Sequence, residues 1–356
     1  MVHKYITDIE NRIDAVVETE LMESWVSFTE GRSSSEGFRP ARNRQSRTRV
    51  KWPEITVNQA IEERDSMAIQ QLRGCSDTLE TGRGNPLAVR CNYGTGILPS
   101  AFGAELFFLP DEAGTLPGCR PLNSGLDAVN RLLDAGIPSW RSGLMGKVLD
   151  MGAYYLQLFD RYERVRDHVY IYHPDLQGPT DVCEVLLGSD LFLLLVDYPR
   201  EIEQLLNLIT ETYALFMRSW YNLVGDRGQP TAGTSVHWGF VHKGRLMIRL
   251  DSLMNLSADM CRRFSLPYDR RLLEEFGGGA VHFCGRGDHY LHLYGDTDAV
   301  HAVNMTQPEY NNLTRVLDET VGKGKRLLGL GGDVNSVFET LGEDRLAVIE
   351  SVHFTK

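Results

Sequence analysis

A histidine and a cysteine two positions apart form the motif of this sequence that is best suited to chemistry, His282-Phe283-Cys284-Gly285. In a β-strand, residues two apart point to the same side, so the two side chains share a face. Imidazole and thiolate are favoured zinc ligands, and a catalytic zinc takes three protein ligands and keeps one open position. The motif predicts a metal site, unless Cys284 is a small buried residue and His282 a hydrogen-bonded core histidine. The third ligand is left open among Asp288, His289, His237, Glu184 and Glu350.

A second group of polar residues offers acid–base chemistry. Arg249 and Asp251 follow His237 in the chain, and an arginine beside a carboxylate favours its ionised form. The group predicts a proton-transfer site or an anion clamp, and the alternative is a structural ion pair at a strand end. The predicted catalytic residues are His237 and Asp251 of this group and His289, which lies four positions after the metal motif.

Polar residues at the ends of predicted strands are candidates for binding a substrate, because the catalytic loops of a (β/α)8 barrel follow the carboxyl ends of its strands. In the run His173-Pro174-Asp175-Leu176-Gln177, a turn with local side-chain hydrogen bonds would explain the same residues without a function. The predicted substrate-binding residues are Asn92, Tyr93, His173, Asp175, Gln177, Arg249, Arg286, Asp288 and Gln307.

A basic stretch lies near the amino terminus. It contains Arg39, Arg42, Arg44, Arg47, Arg49 and Lys51. The stretch is interpreted either as a solvated loop or as a lid that folds over an anionic substrate.

Short apolar runs alternate with longer helical patterns from Val89 onward, which is the rhythm of parallel βα units. About seven such units favour a closed (β/α)8 barrel, and we expect an α/β protein with a TIM barrel at residues 86–356 and a helical extension at residues 1–85. The predicted strands are Ala88–Asn92, Val169–His173, Thr234–Phe240, Arg245–Leu250, Ala280–Cys284, Val300–Asn304 and Arg326–Leu330. The predicted helices are 8–30, 57–73, 141–165, Arg200–Val224 and Glu309–Val321.

Composition narrows the class of protein. The net charge of −11 over 356 residues disfavours nucleic acid as a partner, because the chain repels a phosphate backbone. The amino terminus lacks the apolar core of a secretory signal, and the run Leu191–Val196 is too short to cross a membrane. The six cysteines stand singly, which favours reduced thiols and a cytoplasmic location. A homodimer is compatible with these features.

Two segments resemble the uroporphyrinogen decarboxylase superfamily. The first is HPDLQGPTDVCEVLLGSDLFLLLVDYPREIEQLLNLITETY, which is similar to the D-x-Q-G-P block of that family. The second is SLPYDRRLLEEFGGGAVHFCGRGDHYL, which is similar to its later H-x-C-G strand. The resemblance implies a (β/α)8 barrel from about residue 86 to the carboxyl terminus.

The family contains two chemistries, and the chain departs from both patterns. Uroporphyrinogen decarboxylases work without metal and use an arginine-containing W-x-M-R-Q-A-G-R run and an aspartate after the first strand. This chain lacks the run, and its first strand region, Val89–Gly96, contains no aspartate. Methylcobamide:coenzyme M methyltransferases hold zinc through H-x-C and a later cysteine. His282 and Cys284 match the first two of those ligands, whereas Cys284 is the last cysteine of the chain.

The resemblance therefore implies, first, a metal-assisted, corrinoid-linked methyltransferase that uses zinc, with the corrinoid supplied by a partner protein. A second hypothesis is a metal-independent, decarboxylase-like enzyme that acts on an acidic tetrapyrrole, with the basic stretch gripping its carboxylates. A third is a non-catalytic barrel that binds a corrinoid or tetrapyrrole partner.

Overall fold

The computed structural model describes residues 1–32 and 38–329. The helices are α1 His3–Arg12, α2 Ala15–Thr29, α3 Val57–Glu62, α4 Arg64–Thr81, α5 Ile97–Ala101, α6 Gly125–Ala135, α7 Leu144–Phe159, α8 Glu163–His168, α9 Pro179–Leu187, α10 Asp190–Asp197, α11 Pro199–Val224, α12 Ala258–Phe264, α13 Leu266–Glu275, α14 Leu291–Gly295 and α15 Leu313–Glu319. The strands are β1 Ala88–Val89, β2 Glu105–Phe107, β3 Gly118–Arg120, β4 Tyr170–Ile171, β5 Thr234–His237, β6 Phe240–Lys243, β7 Leu246–Arg249, β8 Gly279–Phe283, β9 Val300–Met305 and β10 Arg326–Leu328.

The chain divides into two compact units. The first unit consists of Met1–Ala15, Arg44–Gly82 and Leu87–Gly228, and the second unit consists of Val16–Asn43, Arg83–Pro86 and the chain from Gln229 onward. In the first unit, β1 and β4 pair in parallel, β2 and β3 form an antiparallel hairpin, and most of the remaining chain is helical.

The second unit is built on a parallel sheet with the order β10-β9-β8-β7. Helices lie between successive strands along the chain, which confirms the predicted α/β class. The pairing places Arg249 opposite His282 and His282 opposite Asn304, so the carboxyl ends of three strands lie side by side. Every residue of β8 is buried, as expected of a strand that is covered on both faces.

The predicted closed barrel is only partly matched. Within residues 1–32 and 38–329, the parallel strands form hydrogen-bonded sheets of two and of four strands, and these do not close into one ring. The predicted strand positions hold, but several strands are shorter than predicted, such as β1 and β4, which have two residues each. The last residue of the predicted strand Arg326–Leu330 lies outside the described residues.

The predicted strand Thr234–Phe240 is wrong at its carboxyl end. The chain reverses at Trp238-Gly239 and returns as β6, which pairs antiparallel with β5. Both turn residues have left-handed backbones, with φ of 47° for Trp238 and 80° for Gly239. Two such residues in succession make the tight turn that joins hairpin strands, and tryptophan is rarely found there, so the apolar pattern concealed it.

The two amino-terminal helical patterns are each divided in the structure. Ile13 and Glu63 adopt extended backbones, so the helix predicted at 8–30 becomes α1 and α2, and the helix predicted at 57–73 becomes α3 and α4. A capping box formed by Thr56 and Gln59 defines the start of α3. Within the described residues, no helix combines the length and apolar character needed to cross a bilayer.

The second unit contains a buried carboxyl group on α13. Asp269 Oδ2 accepts hydrogen bonds from Ser265 Oγ (2.6 Å) and from the Tyr294 hydroxyl (2.7 Å). Burial raises the pKa of Asp269 to about 7, against the opposing effect of these two hydrogen bonds. An unfolded aspartate loses its proton near pH 4, so between about pH 4 and pH 7 the folded state binds more protons than the unfolded state. The free energy of unfolding therefore falls as the pH rises through this window.

We expect Asp269→Asn to remove this part of the pH dependence, because asparagine stays neutral. At about pH 7.5 the variant should be more stable to urea than the original protein by roughly 2–4 kcal/mol, whereas at about pH 5 the gain should be smaller. Asp259→Asn is the control, because the side chain of Asp259 is 96% exposed. An Asp269→Asn variant with an unchanged slope of stability against pH would contradict a proton held on Asp269.

Candidate metal centre

Three potential metal ligands meet at the carboxyl edge of the parallel sheet in the second unit. His282 lies in β8, Cys284 directly follows that strand, and Asp251 lies two residues beyond the end of β7. One ligand atom from each of the three residues lies within 4.8 Å of the others. Asp251, predicted as a catalytic residue, therefore lies where the third ligand was sought, and the described candidates for that position are not part of the cluster. Glu350 lies outside the described residues.

The two distances from His282 to the other ligands are close to those of a tetrahedral site. His282 Nε2 lies 3.2 Å from Cys284 Sγ and 3.5 Å from Asp251 Oδ1. Zinc bonds of about 2.0–2.3 Å at tetrahedral angles place neighbouring ligand atoms roughly 3.3–3.7 Å apart. The side chain of His282 is 3% exposed and that of Asp251 is 28% exposed, so the cluster is reached from one side. Three ligands with partial access are what a catalytic site requires.

Asn304 fixes the orientation of the histidine ring. Its Nδ2 donates to the Leu328 carbonyl oxygen at 2.8 Å, which leaves Asn304 Oδ1 as an acceptor 2.5 Å from His282 Nδ1. This pattern assigns the proton of a neutral ring to Nδ1 and the lone pair to Nε2. The lone pair of Nε2 and the carboxylate oxygen Asp251 Oδ1 then face each other, and both are acceptors. A cation between them could be bound by both atoms.

The thiol of Cys284 is held in its neutral form when no metal is bound. Burial and, next, the Asp251 carboxylate raise its pKa, and the Thr306 hydroxyl, 3.3 Å from Sγ, and Arg249 oppose that rise. The backbone N–H of Cys284 donates to Asp251 Oδ1 at 3.1 Å, which links the two ligands directly. Because thiolate is the metal-binding form, metal uptake would release a proton.

Arg249 and Trp238 form one wall of the cluster. Arg249 donates from Nε to Asp251 Oδ2 at 3.0 Å, and its guanidinium lies 5.0 Å from the centre of the Trp238 ring. The Trp238 ring meets His282 edge-on, with ring centres 4.7 Å apart. His237, also predicted as catalytic, is buried beside Trp238, with ring centres 4.7 Å apart. Arg249, predicted to bind substrate, is therefore oriented by the cluster itself.

The loop that follows Cys284 is shaped by side chains rather than by secondary structure. Gln307 Oε1 accepts from the Gly285 N–H at 2.6 Å, and Asn311 Oδ1 accepts from the N–H groups of Gly287 (2.8 Å) and Asp288 (3.0 Å). Arg286 forms an ion pair with Asp288 at 3.0 Å. Three predicted substrate-binding residues, Arg286, Asp288 and Gln307, thus have contacts that order this loop.

His289 is tied to a carbonyl group. Its Nε2 lies 2.8 Å from the Leu256 oxygen and must donate to it, and its ring packs edge-on against Tyr290 with ring centres 5.0 Å apart. The remaining nitrogen, Nδ1, carries the lone pair of the neutral ring. The predicted catalytic role of His289 would have to use that atom.

Five predicted substrate-binding residues belong to the first unit. Asp175 forms an ion pair with Arg90, and His173 Nδ1 donates to the Pro174 carbonyl oxygen at 2.9 Å. Gln177 has a left-handed backbone, with φ of 66°, in the turn that leads into α9. Tyr93 is buried, and burial is the main cause of the raised pKa of its hydroxyl group. Asn92 directly precedes it in the chain and is half-buried.

The basic stretch does not present all of its charges to solvent. Arg42 is buried, and its Nε and Nη2 contact the two oxygens of Glu18 at 2.7 and 2.6 Å. Arg44, by contrast, is 74% exposed and lies 3.8 Å from Asp14. A buried two-point ion pair is a structural contact, so Arg42 does not fit the predicted role of gripping substrate carboxylates.

Sequence reasoning missed four residues of the site, namely Trp238, Asn304, Thr306 and Asn311. Asn304 ends the predicted strand Val300–Asn304, and of the polar residues at this strand end only Gln307 was predicted to bind substrate. A histidine ligand needs an acceptor for its second nitrogen, so Asn304, opposite His282 in the neighbouring strand, could have been found from that requirement.

No family model and no curated protein matches this sequence. Among solved structures, a methyltransferase from Methanosarcina mazei is similar, with a TM-score of 0.61 and 17% sequence identity. The match covers 88% of this chain and 84% of that chain. At this identity the similarity shows a shared fold.

Proposed function

We propose that this chain is a zinc-dependent methyltransferase with Asp251, His282 and Cys284 as its metal ligands. The observation that carries the proposal is the convergence of these three ligand atoms within 4.8 Å at the carboxyl edge of a parallel sheet. The similar fold of a methyltransferase and the resemblance of the His282-x-Cys284 strand to zinc-dependent methyltransferases support it. The full (β/α)8 barrel, which the family resemblance implies, is part of the same proposal.

When bound, zinc would lower the pKa of a thiol ligand and so supply the nucleophile of the reaction. Within the chain, Asn304 keeps the Nε2 lone pair of His282 directed at the site. Arg249 offsets the charge of Asp251, and the Trp238 ring shields one side from water. These residues keep the ligands in place.

We propose a methylated corrinoid as the methyl donor, delivered by a partner protein. The new bond joins the methyl carbon to the acceptor sulfur as the cobalt–carbon bond breaks, its electron pair stays on cobalt, and the thiol proton passes to solvent. The residues predicted to contact substrate remain part of this proposal.

Two measurements on the purified protein test the proposal. Elemental analysis should find about one zinc per chain, and zinc-loaded protein should demethylate free methylcobalamin in the presence of a small thiol, followed by its visible absorbance. Protein that binds no zinc at micromolar concentrations would refute the metal centre. Zinc binding without demethylation would leave the centre in place and refute the methyl transfer.

Asn304 provides a test of the ligand geometry. We expect Asn304→Leu to lower zinc affinity by about 10–100-fold, because the second nitrogen of His282 loses its acceptor. Asn304→Asp keeps an acceptor at that atom and should stay within about tenfold of the original affinity. Competition with a chromogenic chelator measures both values. Equal losses in the two variants would show that Asn304 acts through packing instead.

A further inference from the structure

A cavity lies at the opposite end of the four-stranded sheet from the metal cluster. It has a volume of about 550 Å³ and is lined by Val300 and His301 at the start of β9 and by Arg326 at the start of β10. Thr234 and Lys243, which pair with each other across the hairpin of β5 and β6, form another side. A volume of this size falls in the range of small-molecule sites.

The cavity has an excess of positive charge. Among the cations that line it, Lys323 forms ion pairs with Asp296 and Glu319 at 2.5 Å each. The acidic residue of the described lining, Glu30, forms an ion pair with Arg32. Among the residues that the structure describes, no carboxylate forms an ion pair with Lys243, Lys325 or Arg326. Within the described residues, three cations thus line the cavity without a carboxylate in ion-pair contact, in a chain whose net charge is −11. Asp298 and Asp296 act on Lys325 from beyond ion-pair distance and raise its pKa, against the larger opposing effect of burial.

Two of the three cations, Lys325 and Arg326, are partly desolvated and fixed in place. Lys325 Nζ donates to the Thr297 carbonyl oxygen at 2.9 Å, and burial lowers the pKa of Lys325. Arg326 Nε donates to the Phe28 carbonyl oxygen at 2.9 Å, its guanidinium lies over the Phe28 ring, and burial lowers its pKa. An arginine held in this way keeps further N–H donors for a ligand. Burial of unpaired cations is unfavourable, and a bound anion would relieve it.

His301 reports the potential inside the cavity. Its pKa is lowered to about 4, first by burial and then by the charges of Lys243 and Lys325. The imidazole is therefore neutral at pH 7 and adds no charge to the cavity, and its ring donates a hydrogen bond to the backbone of Gly277. The two lysines belong to separate elements, because Lys243 ends β6 and Lys325 directly precedes β10, and both raise the positive potential at this ring.

We propose that this cavity binds a small phosphate-bearing anion, held by Lys243, Lys325 and Arg326. Phosphoryl oxygens accept several charged hydrogen bonds at once, and arginine with lysine is the usual combination that binds them. The site is separate from the metal centre, since it lies at the amino ends of β9 and β10, whereas Asp251, Cys284 and Thr306 lie beyond the carboxyl ends of β7, β8 and β9.

Calorimetric titration of the full-length protein with inorganic pyrophosphate tests the site. We expect saturable binding, weakened at least about tenfold in Lys243→Gln/Lys325→Gln, since two cations near the ligand are lost. Lys243→Glu is a second variant, because the Lys243 side chain is exposed and forms no hydrogen bond within the described structure. Reversal of its charge should weaken binding by at least as much.

Lys147→Gln is the matched control, because it removes one exposed lysine from α7, and it should bind pyrophosphate like the original protein. Absence of saturable binding in the original protein would overturn the proposal, as would equal weakening in the control. Zinc content should be unchanged in all of these variants, so failure of this site and failure of the metal centre are distinguishable.

Discussion

Cys284→Ser is expected to lose the bound zinc. Three ligands would share an apparent binding free energy of about 10–16 kcal/mol, so loss of the thiolate should weaken zinc binding on the order of a thousandfold. Serine is nearly the same size, and its hydroxyl is a poor zinc ligand at neutral pH. The change therefore removes the metal bond and retains the packing around His282 and Thr306.

Elemental analysis after gel filtration measures the loss, and chelator competition gives its magnitude. The matched control is Cys119→Ser, because Cys119 is a free, partly exposed cysteine in β3 of the first unit. The control should retain all of its zinc. A Cys284→Ser protein that still binds equimolar zinc would show that the thiol is not a ligand. His282 and Cys284 would then be interpreted as a hydrogen-bonded histidine and a small buried residue.

The second large effect is expected at Arg42. Its side chain is 1% exposed and that of Glu18 is 6% exposed, so Arg42→Met leaves a buried carboxylate without its partner. We expect the free energy of unfolding to fall by about 3–5 kcal/mol. Arg42 Nη1 also donates to the Arg83 carbonyl oxygen, which then loses a donor as well.

Urea denaturation measures the change, with Arg44→Met as the control. Because Arg44 is 74% exposed and 3.8 Å from its acidic neighbour, its replacement should change stability by less than about 1 kcal/mol. The double variant Arg42→Met/Glu18→Leu should recover much of the loss, since no unpaired charge remains buried. A small effect of Arg42→Met would mean that water reaches Glu18, and would restore the interpretation of this stretch as a mobile lid.

Two of the three residues of the metal cluster could be predicted because they lie in one strand and directly after it. His282 and Cys284 are two positions apart, and the period of a strand alone places them on one face. Asp251 belongs to a different strand end, and its place beside Cys284 follows from the pairing of Arg249 with His282. Register between strands is set by packing across the sheet, which a single segment does not reveal.

The reversal at Trp238 shows a different limit. The run from Thr234 to Phe240 is apolar enough for one strand, and the usual hairpin signal, asparagine or aspartate before glycine, is absent. Only the contacts of the indole with His282 and Arg249 explain why tryptophan occupies the turn. A prediction from local preference fails at a residue whose position is determined by the site.

The left-handed backbone of Trp238 also bears on how this protein can evolve. A bulky residue in that conformation costs about 1–2 kcal/mol, whereas glycine or asparagine adopts it with little strain. Selection for heat resistance alone would therefore drive position 238 towards glycine or asparagine, and selection for the reaction would retain tryptophan. The residue found there in a lineage would thus record whether the proposed metal centre is still in use.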